Sequence, residues 1–293
     1  MISWRALGEL REKSVGSQLG FEVNESTIQA FQEDGVVLLR DALDAEELDA
    51  AFSAWQWSVN HPGPAATGLV HGTDSAFQDL CNPGAAEVYE PVLRQVPLAS
   101  IAQQLWGGSP VWFLYEQVFH KRAKNVPRTP WHQDTSYWSI NGAHLIAFWI
   151  SFESIPIRSA LEFVRGSHRG SLYNTSRFDP VDPTLPIFEA EDGSPSYLPR
   201  LPDIEAARHH HEILSFSTEP GDVIAFHTST LHGGGATDLN TPERRTLTLR
   251  YFGEDCYISN SPGPAAPFGK EIQELAVGEP LRHPRFLNLL DAS

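Results

Sequence analysis

The segment Trp131-His132-Gln133-Asp134 sets an imidazole and a carboxylate two positions apart. On an extended chain, side chains alternate with period two, so His132 and Asp134 face one way and Gln133 the other. A neutral imidazole beside a carboxylate supplies two of the three donors of a 2-His-1-carboxylate facial triad, the ligand set of non-haem iron(II). The pair alone is a weak signal, since a surface strand with a His–Asp hydrogen bond reads the same way.

A second signal lies a hundred positions later. Gly221-Asp222-Val223-Ile224-Ala225-Phe226 reads as a turn and a buried strand, and it leads to Leu231-His232-Gly233-Gly234-Gly235. The arrangement places His232 at a strand end where the backbone passes closely, as a third ligand from a remote strand. His227 is the competing histidine, but its place inside the apolar pattern suits a core or pocket residue better. Arg244-Arg245 then open the β-prone stretch Thr246–Phe252. A guanidinium entering a barrel beside a metal is costly to bury unless it meets an anion, and a dicarboxylate would supply one with bidentate geometry. The two arginines alternate, so one faces out. The face shared with Thr246 and Thr248 is the polar one, and this favours Arg244.

The other histidines point elsewhere. His61, His71 and His283 lie in polar or Pro-flanked stretches. His209-His210-His211 has the composition of a metal tract, yet three consecutive side chains cannot converge on one point of a strand. Gly166-Ser167-His168 reads as a structural turn.

Elements that could position these groups follow from periodicity. Ile28 and Phe31 mark a short helix before Gly35, and Val36–Leu39 reads as a buried strand. Asp44 with Glu47 is a capping-box start for a helix carrying Leu48, Phe52 and Trp55. Residues 60–84 read as a polar loop. Leu98, Ile101 and Leu105 predict a helix stopped by Gly107-Gly108. Strands are predicted over Val111–Phe119, Leu145–Phe152, Leu161–Val164, Val223–Phe226 and Thr246–Phe252. The Pro-rich stretch 171–211 has little periodicity and reads as a lid insertion. Helices followed by short strands predict an α+β, mainly β chain built on an antiparallel barrel or sandwich. One domain is expected over 1–293, with a helical part to about 108, a core to about 255 and a C-terminal extension over 256–293.

Composition bounds the partners. The chain has 293 residues, 41% of them hydrophobic and 20% charged, which describes a core-forming protein. Its net charge of −16 disfavours nucleic acid and anionic membrane surfaces as partners. Two cysteines cannot build a disulfide framework or a Cys-rich zinc site. No secretory pattern opens the sequence, and no apolar run is long enough to span a bilayer, so a cytoplasmic location is expected.

Taken in order, His132-Gln133-Asp134, Gly166-Ser167-His168, Gly221-Asp222, His232-Gly233 and Arg244 resemble the phytanoyl-CoA dioxygenase family. The likeness takes in Glu33–Leu38 and Gly278–Pro284 and runs over roughly 26–290. The resemblance implies a double-stranded β-helix (jelly-roll, cupin-like) core with flanking helices. It also implies an iron(II)- and 2-oxoglutarate-dependent oxygenase that consumes O2 and releases succinate and CO2. Carried over by position, His132, Asp134 and His232 are the iron ligands and Arg244 holds the distal carboxylate of 2-oxoglutarate. Gln133, Trp149 and Gln117 fall near the co-substrate. Gly234 stands where some members have a serine, and Thr237 where an asparagine is usual. Related iron halogenases lack the carboxylate ligand that Asp134 supplies, so hydroxylation or desaturation is expected. Phe113, Tyr115, Trp131, Tyr137 and Trp138 could line an apolar pocket. Only four lysines occur (Lys13, Lys121, Lys124 and Lys270), with no basic cluster suited to a CoA tail. A small hydrophobic or specialised metabolite is therefore the expected substrate. A cupin-like metal enzyme without 2-oxoglutarate and a non-catalytic binding module are the alternatives.

Overall fold

Antiparallel pairing organises the chain into two facing sheets. The computed structural model describes residues 20–68, 76–122, 126–174, 176–179, 181–187, 198–237, 243–259, 272 and 274–293. The larger sheet runs in the order β1 (Val36–Leu39), β10 (Val223–His227), β7 (Leu145–Ser151), β12 (Arg244–Phe252), β4 (Val111–Lys121), β3 (Ala76–Leu80) and β2 (Thr67–Gly68). A further strand, β14 (Asn288–Leu290), pairs with β4. The smaller sheet runs β5 (Thr129–His132), β11 (His232–Gly234), β8 (Leu161–Val164) and β9 (Ile213–Ser215). A short pair joins β6 (Ile140–Asn141) to β13 (Tyr257–Ile258). The fold is mixed, richer in strand than in helix, and has the jelly-roll arrangement expected from the sequence.

Alternation along the strands explains where the core sits. All seven residues of β7 are buried. Ile146, Phe148 and Ile150 join the cluster beneath the helices. Ala147 and Trp149 point the other way and pack with Ala160 and Phe163 of the smaller-sheet side. A strand covered on both faces reads as a continuous apolar run, as this one does.

Four helices cover the outer face of the larger sheet: α1 (Glu25–Asp34), α2 (Ala45–Asn60), α3 (Ala86–Gln95) and α4 (Leu98–Leu105). Asn24 caps α1 by accepting the Thr27 amide at 2.8 Å, and Gly35 ends it with φ 79°. A side chain at Gly35 would collide with the His168 ring as well as strain the backbone. The Asp44–Glu47 capping box opens α2 as expected. The helix α3 is less legible because Pro91 sits inside it. Its buried stripe of Tyr89, Val92 and Leu93 holds it against the core.

Two expectations change. The region 60–84 is not all loop, since β2 and β3 form there and extend the larger sheet along β4. The C-terminal stretch 256–293 does not simply trail the core: β14 pairs with β4, and the Ser293 amide donates to Gly108 O at 3.1 Å. The stretch 171–211 lies partly outside the described residues, as does His71. Among the described residues no helix is long and apolar enough to cross a membrane.

Gly233 marks where β11 crosses close to β5. A Cβ there would stand 2.9 Å from Thr129 O and 3.1 Å from both Pro130 O and Trp131 N. Those are backbone atoms of the neighbouring strand and cannot turn aside. Gly233→Ala should therefore destabilise the protein by about 1–3 kcal/mol. Gly20→Ala, whose Cβ would meet nothing within 4 Å, should be close to neutral. Urea unfolding of both variants checks the contrast.

Candidate functional site

Strand pairing brings the two metal-ligand candidates of the smaller sheet face to face. His132 ends β5 and is the direct register partner of His232 at the start of β11. Their ring centroids lie 4.2 Å apart. Gln133 is extended, and Asp134 opens a 3-10 turn over Asp134–Tyr137 that folds its carboxylate back beside the imidazoles. His132 Nε2 lies 3.6 Å and His232 Nε2 3.8 Å from Asp134 Oδ1. Donor atoms of the three residues all fall within 4.8 Å of one another, the one such cluster of three or more metal-ligand types among the described residues.

Hydrogen bonds fix which ring nitrogens face the centre. His132 Nδ1 donates to Pro130 O at 2.9 Å, and His232 Nδ1 donates to Thr230 O at 2.9 Å. Each bond holds the proton on Nδ1 and leaves the Nε2 lone pair pointing inward, the tautomer a metal requires. Burial pushes the His232 imidazole down to about 3, which keeps it neutral. Burial alone would raise the Asp134 carboxyl, but the Arg250 guanidinium beside it outweighs burial and holds the group ionised, well below the usual carboxylate range. The donor set, its tautomers and its charge fit a divalent iron ion.

The triad opens onto a cavity of about 430 Å³ between the sheets. Alternation along β12 supplies one wall: Arg244, Thr246, Thr248 and Arg250 line it, while Leu247, Leu249 and Tyr251 face the helix-covered core. Arg244 is buried, with Nη2 donating to Ser159 O at 2.5 Å and Ala236 O at 3.2 Å. Arg245 faces away, pairs with Glu153 and lies over the Phe52 ring. Gln117 and Trp149 both line the cavity, on β4 and β7, and both are register partners of Thr248.

Gln133 does not join them. Its amide donates to Ser229 O at 2.8 Å and Ser171 O at 3.2 Å, and its Oε1 accepts the Tyr173 amide at 2.9 Å. The alternation that aligns His132 with Asp134 turns Gln133 to the opposite side, where it ties residues 171–173 to the approach of His232. The expected aromatic lining divides in the same way. Tyr115, Tyr137 and Trp138 face the cavity, whereas Phe113 packs edge-on to Tyr251 and Trp131 lies in a separate cluster with Val164 and Leu201. Ser167 stitches a turn, accepting the Leu231 amide and donating to Val164 O. Residues 208–210 form an exposed 3-10 turn.

The profile of the phytanoyl-CoA dioxygenase family matches residues 31–245. The chain belongs to that family. No curated protein matches the sequence. Among solved structures, the 2-oxoglutarate-dependent epimerase SnoN of nogalamycin biosynthesis superposes with a TM-score of 0.67 at 18% identity, covering 92% of this chain and 96% of that one. The carbocyclase SnoK from the same biosynthesis gives 0.65 at 17%, covering 90% and 96%. EctD from S. alaskensis, solved with 2-oxoglutarate and 5-hydroxyectoine, gives 0.58 at 19%, covering 85% and 82%. These likenesses show the shared fold. Family membership makes the chain an oxidoreductase, an oxygenase that uses iron(II) and 2-oxoglutarate.

Two residues of this family member were not legible in its sequence. Arg250 donates through Nε and Nη2 to Asp134 Oδ2 at 3.0 and 2.8 Å, leaving Oδ1 to the histidine side. Its guanidinium lies over Tyr115, 4.8 Å from the ring centroid. The same alternation that selects Arg244 continues six residues on to Arg250, and that spacing was the available signal. Lys121 is the register partner of Arg244 on β4. It is buried and lines the cavity, with Nζ donating to Gly235 O at 3.0 Å. Burial, and then Arg244 beside it, pull its ammonium down to about 7. It looked like one of a few scattered lysines because nothing in the sequence pairs β4 with the end of β12.

Arg250→Gln should weaken iron(II) binding about 10–100-fold, the usual cost of losing an outer partner of a metal ligand. Arg250→Lys should recover part of the loss by restoring the charge without the fork. Competition with a chromophoric chelator measures both.

Proposed function

We propose that His132 Nε2, Asp134 Oδ1 and His232 Nε2 hold the iron(II), and that Arg244 and Lys121 together receive the distal carboxylate of 2-oxoglutarate. On this reading the enzyme hydroxylates or desaturates an unactivated C–H bond of a small hydrophobic or specialised metabolite, releasing succinate and CO2. The observation that carries it is the continuity of one cavity from a triad of two imidazoles and a carboxylate to the paired Arg244 and Lys121. A metal enzyme without a dianionic co-substrate would have no use for that pair.

The bound iron, with 2-oxoglutarate and O2, supplies the oxidising power for C–H cleavage. The protein's share is placement and exclusion. His132 and His232 are held by carbonyls, and Asp134 by Arg250, so the three donors keep their directions through the reaction. Arg244 and Lys121 fix one end of the co-substrate, and Trp149, Thr246 and Thr248 close the wall beside it. Tyr115, Tyr137 and Trp138 shield the opposite side from water, where a substrate C–H bond would be held. The solved neighbours include an epimerase and a carbocyclase, and EctD holds a hydroxylated compound. The same fold thus serves more than one reaction outcome, and Asp134 occupies the ligand place that chloride would need here.

His132→Ala, Asp134→Ala and His232→Ala should each abolish 2-oxoglutarate-dependent succinate release while the protein stays folded. Turnover at the wild-type rate in any of them would refute the ligand assignment. Truncating one partner of a buried charge-assisted contact costs roughly 2–5 kcal/mol, so Arg244→Ala should raise the 2-oxoglutarate requirement about 30-fold or more. Arg245→Ala should change it little, because Arg245 is engaged with Glu153.

Lys121 adds a pH dependence of definite sign. Its proton is lost as pH rises through about 7, and a carboxylate beside it favours the charged form. Binding then takes up a proton above that pH, so 2-oxoglutarate affinity should fall by up to about tenfold per pH unit between 7 and 9. Lys121→Met should bind more weakly at pH 6.5 and lose that slope. Titrations of 2-oxoglutarate at fixed iron across that range check it.

A further inference from the structure

Phe178 sits on the insertion that follows β8 and forms part of the cavity mouth. Its backbone is left-handed, with φ 57°, a conformation that a bulky side chain adopts only under constraint. The constraint is visible. The Phe178 amide donates to Ser176 Oγ at 2.9 Å, and Ser176 Oγ donates to Pro183 O at 2.6 Å. Tyr137 Oη reaches Ser176 O at 3.1 Å, and Arg177 Nε reaches Pro186 O at 2.7 Å. This network holds an apolar ring 40% exposed, so core packing does not account for it.

The ring is placed with respect to the metal site. It stands edge-on to His132, at 89° and 5.4 Å between centroids. Tyr137 also stands edge-on to His132, at 78° and 6.2 Å. The Phe178 and Tyr137 planes are within 27° of each other, with centroids 6.4 Å apart. Two nearly parallel ring faces thus border the open side of the triad. The same cavity is also lined by Gln117 and Gln78, which supply amide groups joined by a long contact of 3.4 Å between Gln117 Nε2 and Gln78 Oε1.

Charge narrows the ligand further. The charged side chains lining the cavity among the described residues are Asp134, Arg250, Lys121 and Arg244. Asp134 and Arg250 pair with each other, and the proposed co-substrate takes Lys121 and Arg244. This accounting rests on the co-substrate reading above. Among the described residues it leaves no charged side chain for a substrate to meet, but it does leave stacking faces and amide hydrogen-bonding groups.

We propose that Phe178 and Tyr137 form a stacking subsite, and that the substrate is an uncharged, flat-faced ring compound bearing hydroxyl or carbonyl oxygens. The ring face lies against the aromatic pair, where coplanar contact gains most from dispersion. The oxygens meet the amides of Gln78 and Gln117. An extended alkyl chain would touch the same rings along an edge only, and a carboxylate would be desolvated without a partner.

The test uses 1-naphthol, an uncharged flat probe whose fluorescence anisotropy reports binding to the full-length protein, with and without Fe(II) and 2-oxoglutarate. Saturable binding is expected. Phe178→Ala and Phe178→Leu should weaken it about tenfold, and Phe178→Tyr should stay within about threefold, because Leu keeps the apolar bulk but not the ring. 1-Naphthoate should bind at least about tenfold more weakly than 1-naphthol, as expected for a buried charge without a partner. 1-Decanol should fail to displace the probe. All three variants should bind iron and 2-oxoglutarate as the wild type does, which shows that they are folded. The proposal is overturned if 1-naphthol does not bind, if naphthoate or decanol binds as well, or if Phe178→Leu equals the wild type. Each of those results would leave the oxygenase reading standing. Failure of 2-oxoglutarate to bind the iron-loaded wild type would instead overturn that reading.

Discussion

Asp134 is a buried carboxylate between two sheets, and its ionisation constrains everything around it. A charge taken out of water must be met by other charges and donors or it will protonate. Arg250, from the larger sheet, meets Asp134 Oδ2, while Oδ1 stays with the two imidazoles of the smaller sheet. The pair therefore ties the sheets together at the site of chemistry. Losing one member of such a pair costs about 3–5 kcal/mol, because the other is left buried and uncompensated. The same bond leaves the other oxygen facing the two imidazoles, where the proposed iron would lie.

The rest of the site follows from strand geometry. Pairing His132 with His232 sets both rings on one side of the smaller sheet, and the close approach at Gly233 lets β11 lie against β5. On the larger sheet, β12 carries two patterns at once. Its odd-numbered residues Leu247, Leu249 and Tyr251 anchor the helix-covered core. Its even-numbered residues, from Arg244 to Arg250, build a polar wall. Helices α1 to α4 never reach the chemistry. They bury the back of the sheet that presents it, and this fixes the wall's register.

Much of this was legible in the sequence. The clustering of His132, Asp134 and His232 could be read because the first two have strand-like spacing and the second histidine follows a turn and a buried strand. The first arginine of Arg244-Arg245 was separable from the second by the hydroxyls that share its face. Gln133 was placed near the co-substrate by positional likeness to a family, whereas alternation turns its side chain towards Ser229 and Tyr173. Lys121 and Arg250 were missed for another reason. Arg250 shares the alternation of Arg244, but its carboxylate partner lies far away in the chain, and neither composition nor local period marks Lys121. The strands β2 and β3 were likewise masked by a polar, Gly- and Pro-bearing stretch that pairs only because β4 offers an edge. Phe178 lay in a stretch with no periodicity, and its backbone angle is set by hydrogen bonds that no pattern announces.

The central claim is that His132, Asp134 and His232 form one iron site opening onto a 2-oxoglutarate pocket. The most direct measurement adds Fe(II) and then 2-oxoglutarate to the protein without oxygen, following the visible spectrum and the bound metal. The account predicts one iron per chain, a weak charge-transfer band that appears only when both are present, and no band in the Asp134→Ala and His232→Ala proteins. A protein that binds iron at that ratio and shows no band with 2-oxoglutarate, or a band that survives loss of either ligand, would contradict it.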